Sequence, residues 1–171
     1  MNNNIHALRL QVGFLVHQTV GYSREFVFEF ESLHLPPDLD LENLNGSARI
    51  TRTPQGLLVQ VKMRANSKGV CVRCLTEIQQ PLVIDFTELY AFSPRSVTDS
   101  GLILPENGQL ELAPLVREYM LLEVPINPIC REDCKGLCPI CGENLNEYSH
   151  EHVEETIDPR LAGLKKLLET D

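Results

Sequence analysis

Residues 130–152 constrain this chain more than any other stretch of its sequence. They contain four of the six cysteines and two of the five histidines. The tightest piece, residues 138–142, reads C-P-I-C-G. Two thiolates that stand two residues apart bind one tetrahedral ion from a tight turn, and the glycine takes the positive φ that closes such a turn. The spacing therefore predicts a zinc knuckle.

The alternative is an amphipathic helix, because positions 130, 134, 138 and 141 would share one helical face. Gly136 and Pro139 oppose a helix here, since glycine has low helix propensity and proline lacks the N–H that a helix needs. The H-x-H pair His150 and His152 follows eight residues after the knuckle. We therefore favour metal binding over a helix.

Six cysteines and two histidines provide eight candidate ligands, enough for two closed tetrahedral sites. One set is contiguous in sequence and consists of Cys138, Cys141, His150 and His152. The other set joins Cys71 and Cys74 to Cys130 and Cys134, and would tie the β-rich part to the C-terminal segment. A competing arrangement places all four cysteines of residues 130–141 on one ion, but the short spacer at 135–137 crowds them. One or two structural Zn²⁺ ions are expected.

The compartment decides whether paired cysteines hold metal or form disulfides. Residues 1–10 lack the basic and apolar regions of a signal peptide, and no apolar run approaches the roughly 20 residues of a membrane span. We therefore expect a cytoplasmic protein without membrane contact. In a reducing cytoplasm, closely spaced cysteine pairs indicate metal rather than disulfides.

The formal net charge of −9 disfavours sequence-independent binding to nucleic acid, which depends on neutralising phosphates. Only residues 1–70 carry a basic excess, with seven Lys/Arg against six Asp/Glu. Any direct RNA contact is expected on a face that carries Arg49, Arg52, Lys62, Arg64 and Lys68. The alternative is an ordinary solvated sheet face, which charge alone favours.

The predicted fold class is α+β, with an antiparallel β-rich N-terminal part, a few helices and a C-terminal zinc-knuckle segment. Strands are predicted from alternating apolar residues within 7–16, 24–31 and 82–87, and a hairpin over 47–65 with its turn at 54–56. Residues 111–122 have helical periodicity. The predicted domains are a β-rich core with one helix at 1–125, and a zinc segment at 126–171 with a last helix that has Asp158 as its N-cap and Pro159 at its first position.

The pair Cys71 and Cys74 also fits a thioredoxin-like thiol oxidoreductase. That chemistry uses a C-x-x-C at a helix N-terminus, whereas strand-like sequence flanks this pair on both sides and Pro81 blocks a long helix. No Ser/His/Asp, Cys/His or paired-carboxylate arrangement stands out in the sequence. We therefore expect a protein that is not an enzyme and has no small-molecule substrate.

Four segments carry a family resemblance: C-V-R-C-L at 71–75, GQLELAPLVREYMLLEVPINPIC at 108–130, CKGLCPICGENLN at 134–146, and IDPR at 157–160 with its leucine-rich continuation. Together they resemble the YceD family of large ribosomal RNA subunit accumulation proteins. The resemblance covers residues 71–168 closely and residues 1–70 only in β-rich character. Family members usually carry a C-x-C where this chain has His150 and His152, and histidine can replace cysteine as a zinc ligand.

The resemblance implies a non-enzymatic, zinc-stabilised factor for 23S ribosomal RNA accumulation or processing and large-subunit biogenesis. Its expected partners are 23S ribosomal RNA or its precursor, a large-subunit ribosomal or assembly protein, or both. One alternative is a zinc-ribbon adaptor that binds only protein, which the net negative charge favours. The other is the thiol oxidoreductase considered above.

Overall fold

The computed structural model describes residues 7–96, 98, 100–148 and 152, so the helix predicted from Asp158 lies outside this part. The elements in chain order are β1 (Arg9–Gln11), α1 (Gly13–Val16), β2 (Ser23–Leu35), β3 (Leu39–Arg52), β4 (Gly56–Val70), β5 (Glu77–Ala91), a 3₁₀ turn (Pro94–Ser96), β6 (Gln109–Glu111) and α2 (Ala113–Glu123). No helix within these residues has the length and apolar character needed to cross a bilayer.

Four long strands form an antiparallel meander in the order β2-β3-β4-β5. Each strand pairs with the next through a short connection, and the predicted turn at 54–56 joins β3 to β4. A second, two-stranded antiparallel sheet pairs β1 with β6. The predicted antiparallel, β-rich character is confirmed, and the boundary between residues 125 and 126 stays a prediction.

The core lies on one face of the four-stranded sheet. Along β4 and β5 the buried residues alternate with exposed ones, as the period-two pattern predicted, and α2 covers this face with Val116 and Met120. The Tyr119 ring stacks on Phe86 with centroids 4.1 Å apart, and its hydroxyl donates a 2.9 Å hydrogen bond to Glu88. Each aliphatic side chain buried here contributes roughly 1.5–3 kcal/mol. The opposite face of the sheet stays open to solvent.

The strand predicted within residues 7–16 ends at Gln11, and a helical turn follows. The backbone N–H groups of Val12 and Gly13 both donate to the Gly108 carbonyl, at 2.8 and 3.1 Å. A Cβ on Gly108 would lie 2.6 Å from the Gly13 Cα, so the two glycines allow this close approach. The turn places Leu15 in the core, which the strand pattern did not predict.

Candidate metal centres

The first C-x-x-C lies in the turn between β4 and β5. The backbone N–H of Cys71 donates to the Thr76 carbonyl at 2.9 Å, and Leu75 donates back to Cys71 at the same distance. Leu75 closes the turn with a φ of 59°. The hairpin therefore holds the Cys71 and Cys74 thiols at the end of the sheet, between the two strands that flank them.

The segment after α2 brings two further thiols to this turn. The Val72 N–H donates to the Pro128 carbonyl at 2.9 Å, which sets the two segments side by side. The Sγ–Sγ distances are 3.9 Å for Cys71–Cys134 and 3.6 Å for Cys74–Cys130, and all four sulfurs lie within 4.8 Å of one another. An ion with tetrahedral bonds of about 2.3 Å to sulfur needs sulfurs about 3.8 Å apart. These four cysteines, the first cysteine group, could hold such an ion.

The surroundings of the first cysteine group lower the pKa of two of its thiols, Cys71 and Cys74; for Cys74 the main cause is its hydrogen bond with the Thr76 side chain. Burial raises the pKa of Cys71, but the backbone hydrogen bonds from Cys74, Arg73 and Cys130 outweigh it and lower that pKa to about 6. Burial and the neighbouring thiols raise the pKa of Cys130 to about 12. A bound cation would favour the deprotonated form at every sulfur, because metal ligands are thiolates.

The second group consists of Cys138, Cys141 and His152, whose ligand atoms lie within 4.8 Å of one another. The knuckle turn is closed by the Gly142 N–H, which donates to the Cys138 carbonyl at 2.9 Å, and by a Gly142 φ of 77°. His150, the fourth ligand predicted for this set, lies outside the described residues. The structure thus brings together three members of the predicted set.

The two groups contain the same cysteines as the two four-ligand sets favoured from the sequence. Cys130 and Cys134 lie with Cys71 and Cys74, whereas the competing arrangement would place them with the knuckle cysteines. None of the six cysteines forms a disulfide. The spacing of the ligand atoms makes both groups chemically able to hold a metal ion, one with sulfur only and one with sulfur and nitrogen.

Asn146 connects the two groups, a role that sequence reasoning did not assign. Its side-chain amide donates to the Cys134 sulfur at 3.4 Å and accepts 2.9 Å hydrogen bonds from the Lys135 N–H and from Arg131. Asn146 belongs to the loop that follows the knuckle, so the second group's own segment supports a ligand of the first. In the sequence, the only sign of this role is that Asn146 lies in the N-L-N segment at 144–146.

Arg73 provides a second connection between the same segments. Its guanidinium donates to the Cys134 carbonyl at 3.1 Å, and its own carbonyl accepts from the Leu137 N–H at 3.0 Å. Gly136 has a φ of 80°, and a Cβ there would lie 3.2 Å from the Arg73 oxygen. The chain therefore needs glycine at 136 to approach the first C-x-x-C turn so closely.

Four of the five basic residues predicted to contact RNA lie on the solvent-facing side of the sheet, each matched to a polar partner. The pairs are Arg49 with Glu25 at 3.8 Å, Lys62 with Asp85 at 2.8 Å, Lys68 with Glu42 at 2.9 Å, and Arg64 with the Asn45 side-chain oxygen. Exposed pairs of this kind add little stability, but they offset the charge of the face. The surface is mixed in charge rather than basic.

Arg52 does not share this face. Its guanidinium is half-buried, donates to the Val16 carbonyl at 3.1 Å and lies 4.6 Å from the centre of the Phe92 ring. The even-numbered positions at the end of β3 point toward the core side, so Arg52 packs where the sheet meets α1. The structure thus separates this arginine from the other four residues of the predicted RNA-contact face.

Comparison with known proteins places these features in a family. A family model described as large ribosomal RNA subunit accumulation protein YceD matches residues 59–168. The chain belongs to the YceD family. An uncharacterised protein of Mycobacterium tuberculosis strain H37Rv is 35% identical over 163 residues, covering 91% of this chain and 74% of the relative. The uncharacterised protein YlbN of Bacillus subtilis is 34% identical over 103 residues, covering 59% and 60%.

A plant member of the YceD family has a descriptive name. The chloroplast protein of Arabidopsis thaliana called large ribosomal RNA subunit accumulation protein YCED homolog 1 is 34% identical over 65 residues. That match covers 38% of this chain and 20% of the plant protein. No solved structure matches the chain at a comparable level.

Proposed function

We propose that this protein is a cytoplasmic, non-enzymatic factor for 23S ribosomal RNA accumulation and large-subunit biogenesis, and that zinc stabilises its fold. The observation that carries this proposal is the family match over residues 59–168. Chloroplast relatives of both Arabidopsis thaliana and Zea mays are named for large ribosomal RNA subunit accumulation. The chain would act by binding within the assembling subunit.

Zinc is the metal that best suits both groups. Thiolate and imidazole ligands in tetrahedral arrangement are typical of zinc, and the four sulfurs of the first cysteine group leave no open position for a substrate. In the second group we propose His150 as the fourth ligand that closes the site. The Sγ–Sγ distances of 3.6 and 3.9 Å in the first cysteine group support this assignment. We therefore assign a structural role to each ion, which links the chain segments instead of supplying a reactive water.

The thiol oxidoreductase alternative receives no support from the geometry. A thioredoxin-like C-x-x-C lies at a helix N-terminus, whereas Cys71 and Cys74 lie in a turn between two strands, where backbone hydrogen bonds lower the pKa of Cys71. Each of these thiols faces a cysteine of a distant segment, Cys134 or Cys130. Four converging thiols favour a structural metal over a redox pair.

The functional proposal is tested by deleting the gene and measuring the ratio of 23S to 16S ribosomal RNA. We expect the ratio to fall, to recover with the wild-type gene, and to stay low with a Cys71→Ser/Cys134→Ser variant. Val27→Thr is the matched control, because Val27 is an exposed apolar residue on the open face of the sheet, on the edge strand β2. A normal ratio in the deletion strain would falsify the functional proposal.

A further inference from the structure

The two segments that meet at the first cysteine group carry exposed aliphatic side chains. The exposed fractions are 51% for Val72, 62% for Leu75, 94% for Ile126 and 38% for Ile129; we call these four residues the aliphatic rim. Val72 is hydrogen-bonded to the neighbouring backbone at Pro128, so the two halves of the rim lie side by side. Grouped apolar side chains on an otherwise polar surface mark sites of interaction.

Leu75 is the residue of the rim that local structure explains least. Leu75 and Gly142 each follow the second cysteine of a C-x-x-C turn, with φ values of 59° and 77°. Glycine takes this left-handed conformation freely, whereas the Cβ of leucine crowds the backbone there. Because Leu75 is mostly exposed, burial does not offset the strain. A residue in a strained conformation that has no packing role points to a function for its side chain.

The charge around the aliphatic rim indicates what can cover it. If the first cysteine group holds zinc, as proposed above, four thiolates and one Zn²⁺ carry a formal charge of −2. Residues 123–135 add Glu123, Glu132 and Asp133 against Arg131 and Lys135, and Arg131 pairs with Asp133 at 3.3 Å. The C-x-x-C turn itself adds one positive charge, Arg73, so the formal sum around the rim stays negative. An apolar surface within an acidic setting complements aliphatic side chains flanked by lysine or arginine.

We propose that the aliphatic rim is the docking surface for a basic protein of the large ribosomal subunit, with Leu75 as its central contact. This inference rests on the proposed function and names the kind of partner. A second copy of the chain is disfavoured by its net charge of −9, and residues 153–171 by their five acidic against three basic residues. RNA is disfavoured because its phosphates would meet the acidic surroundings of the rim.

The test uses the full-length, zinc-loaded protein and the proteins salt-extracted from purified large subunits of the same organism. The subunit proteins that bind to the zinc-loaded protein are identified by mass spectrometry. The one that binds most tightly is purified for calorimetric titration. We expect a protein of positive net charge whose Kd rises about tenfold or more with Leu75→Gly, as loss of one buried leucine implies. Leu75→Asn should have the same effect, since asparagine also tolerates a positive φ.

Stability measurements separate docking from a structural role of Leu75. Both variants relieve the backbone strain, so zinc content should stay unchanged and the thermal midpoint should not fall below that of the wild type. The control Val27→Thr should leave binding unchanged. A lower midpoint or lost zinc in both variants would show that Leu75 stabilises the fold, and would overturn the proposal.

Other results would also overturn it. These are retention of no basic protein, binding that is insensitive to both variants, a Leu75-dependent dimer in sedimentation, and Leu75-dependent binding of 23S ribosomal RNA fragments. The deletion strain keeps the two proposals distinct. A lowered 23S ratio without docking at the rim would leave the proposed function standing and remove only the docking surface.

Discussion

Replacing Cys71 with serine removes one of the four sulfurs that join the hairpin end to the segment after α2. The first cysteine group connects residues as far apart as Cys74 and Cys130, which are separated by 56 positions. A cross-link closing a loop of that length lowers the entropy of the unfolded chain by an amount worth about 4 kcal/mol at 25 °C. We therefore expect Cys71→Ser to lower the free energy of unfolding by up to about 4 kcal/mol.

His152→Ala is the matched comparison, because it removes one ligand from the second group. That group joins residues 138, 141 and 152, which lie outside the sheet and its core. Loss of this ligand should change the free energy of unfolding of the sheet by less than about 1 kcal/mol, as for other surface substitutions. Urea titrations of the zinc-loaded proteins, followed by the circular dichroism of the strands, measure both values.

A chelator distinguishes the metal contribution from the substitution itself. Removing zinc from the wild type should lower its stability to near that of Cys71→Ser, because both treatments open the same connection. The chelator should then change the Cys71→Ser variant much less than the wild type. Equal losses for Cys71→Ser and His152→Ala would refute the grouping of ligands, and a wild type insensitive to the chelator would refute the metal-dependent connection.

Three further predictions concern single features of the fold. Met120→Ala should lower the free energy of unfolding by about 2–5 kcal/mol in urea titrations, since this fully buried side chain joins α2 to the sheet. Asn146→Ala should weaken zinc binding at the first cysteine group by about 10–100-fold in chelator competition, because it removes the donor to a ligand sulfur. The double variant Lys62→Glu/Arg64→Glu should leave the 23S to 16S ratio unchanged, and a reduced ratio would restore the sheet face as a binding surface.

Local sequence patterns predict the strands well because each pattern acts over a few neighbouring residues. Val59, Val61 and Met63 alternate with polar residues and do line the core side of β4. The helix predicted at 111–122 is observed as α2, Ala113–Glu123. These features depend on side-chain periodicity alone, so a single sequence suffices to find them.

Features that depend on distant contacts are not visible in the sequence. The end of β1 is set by Gly108, almost 100 positions from Gly13, and no local pattern encodes that approach. Arg52 points away from the face that carries the other four basic residues, because its partners Phe92 and the Val16 carbonyl lie on the other side of the sheet. The position of Arg52 therefore depends on tertiary packing. The hydrogen bond from Asn146 to the Cys134 sulfur depends on it as well.

The central claim is that the cysteine groups are two zinc centres, and native mass spectrometry of protein purified without chelator tests it directly. The account predicts two zinc ions per chain, with one ion lost in Cys134→Ser and the other in Cys141→Ser. The ion that remains in Cys141→Ser should be held at the first cysteine group and should resist a mild chelator. A folded wild-type chain that carries no zinc would contradict the account.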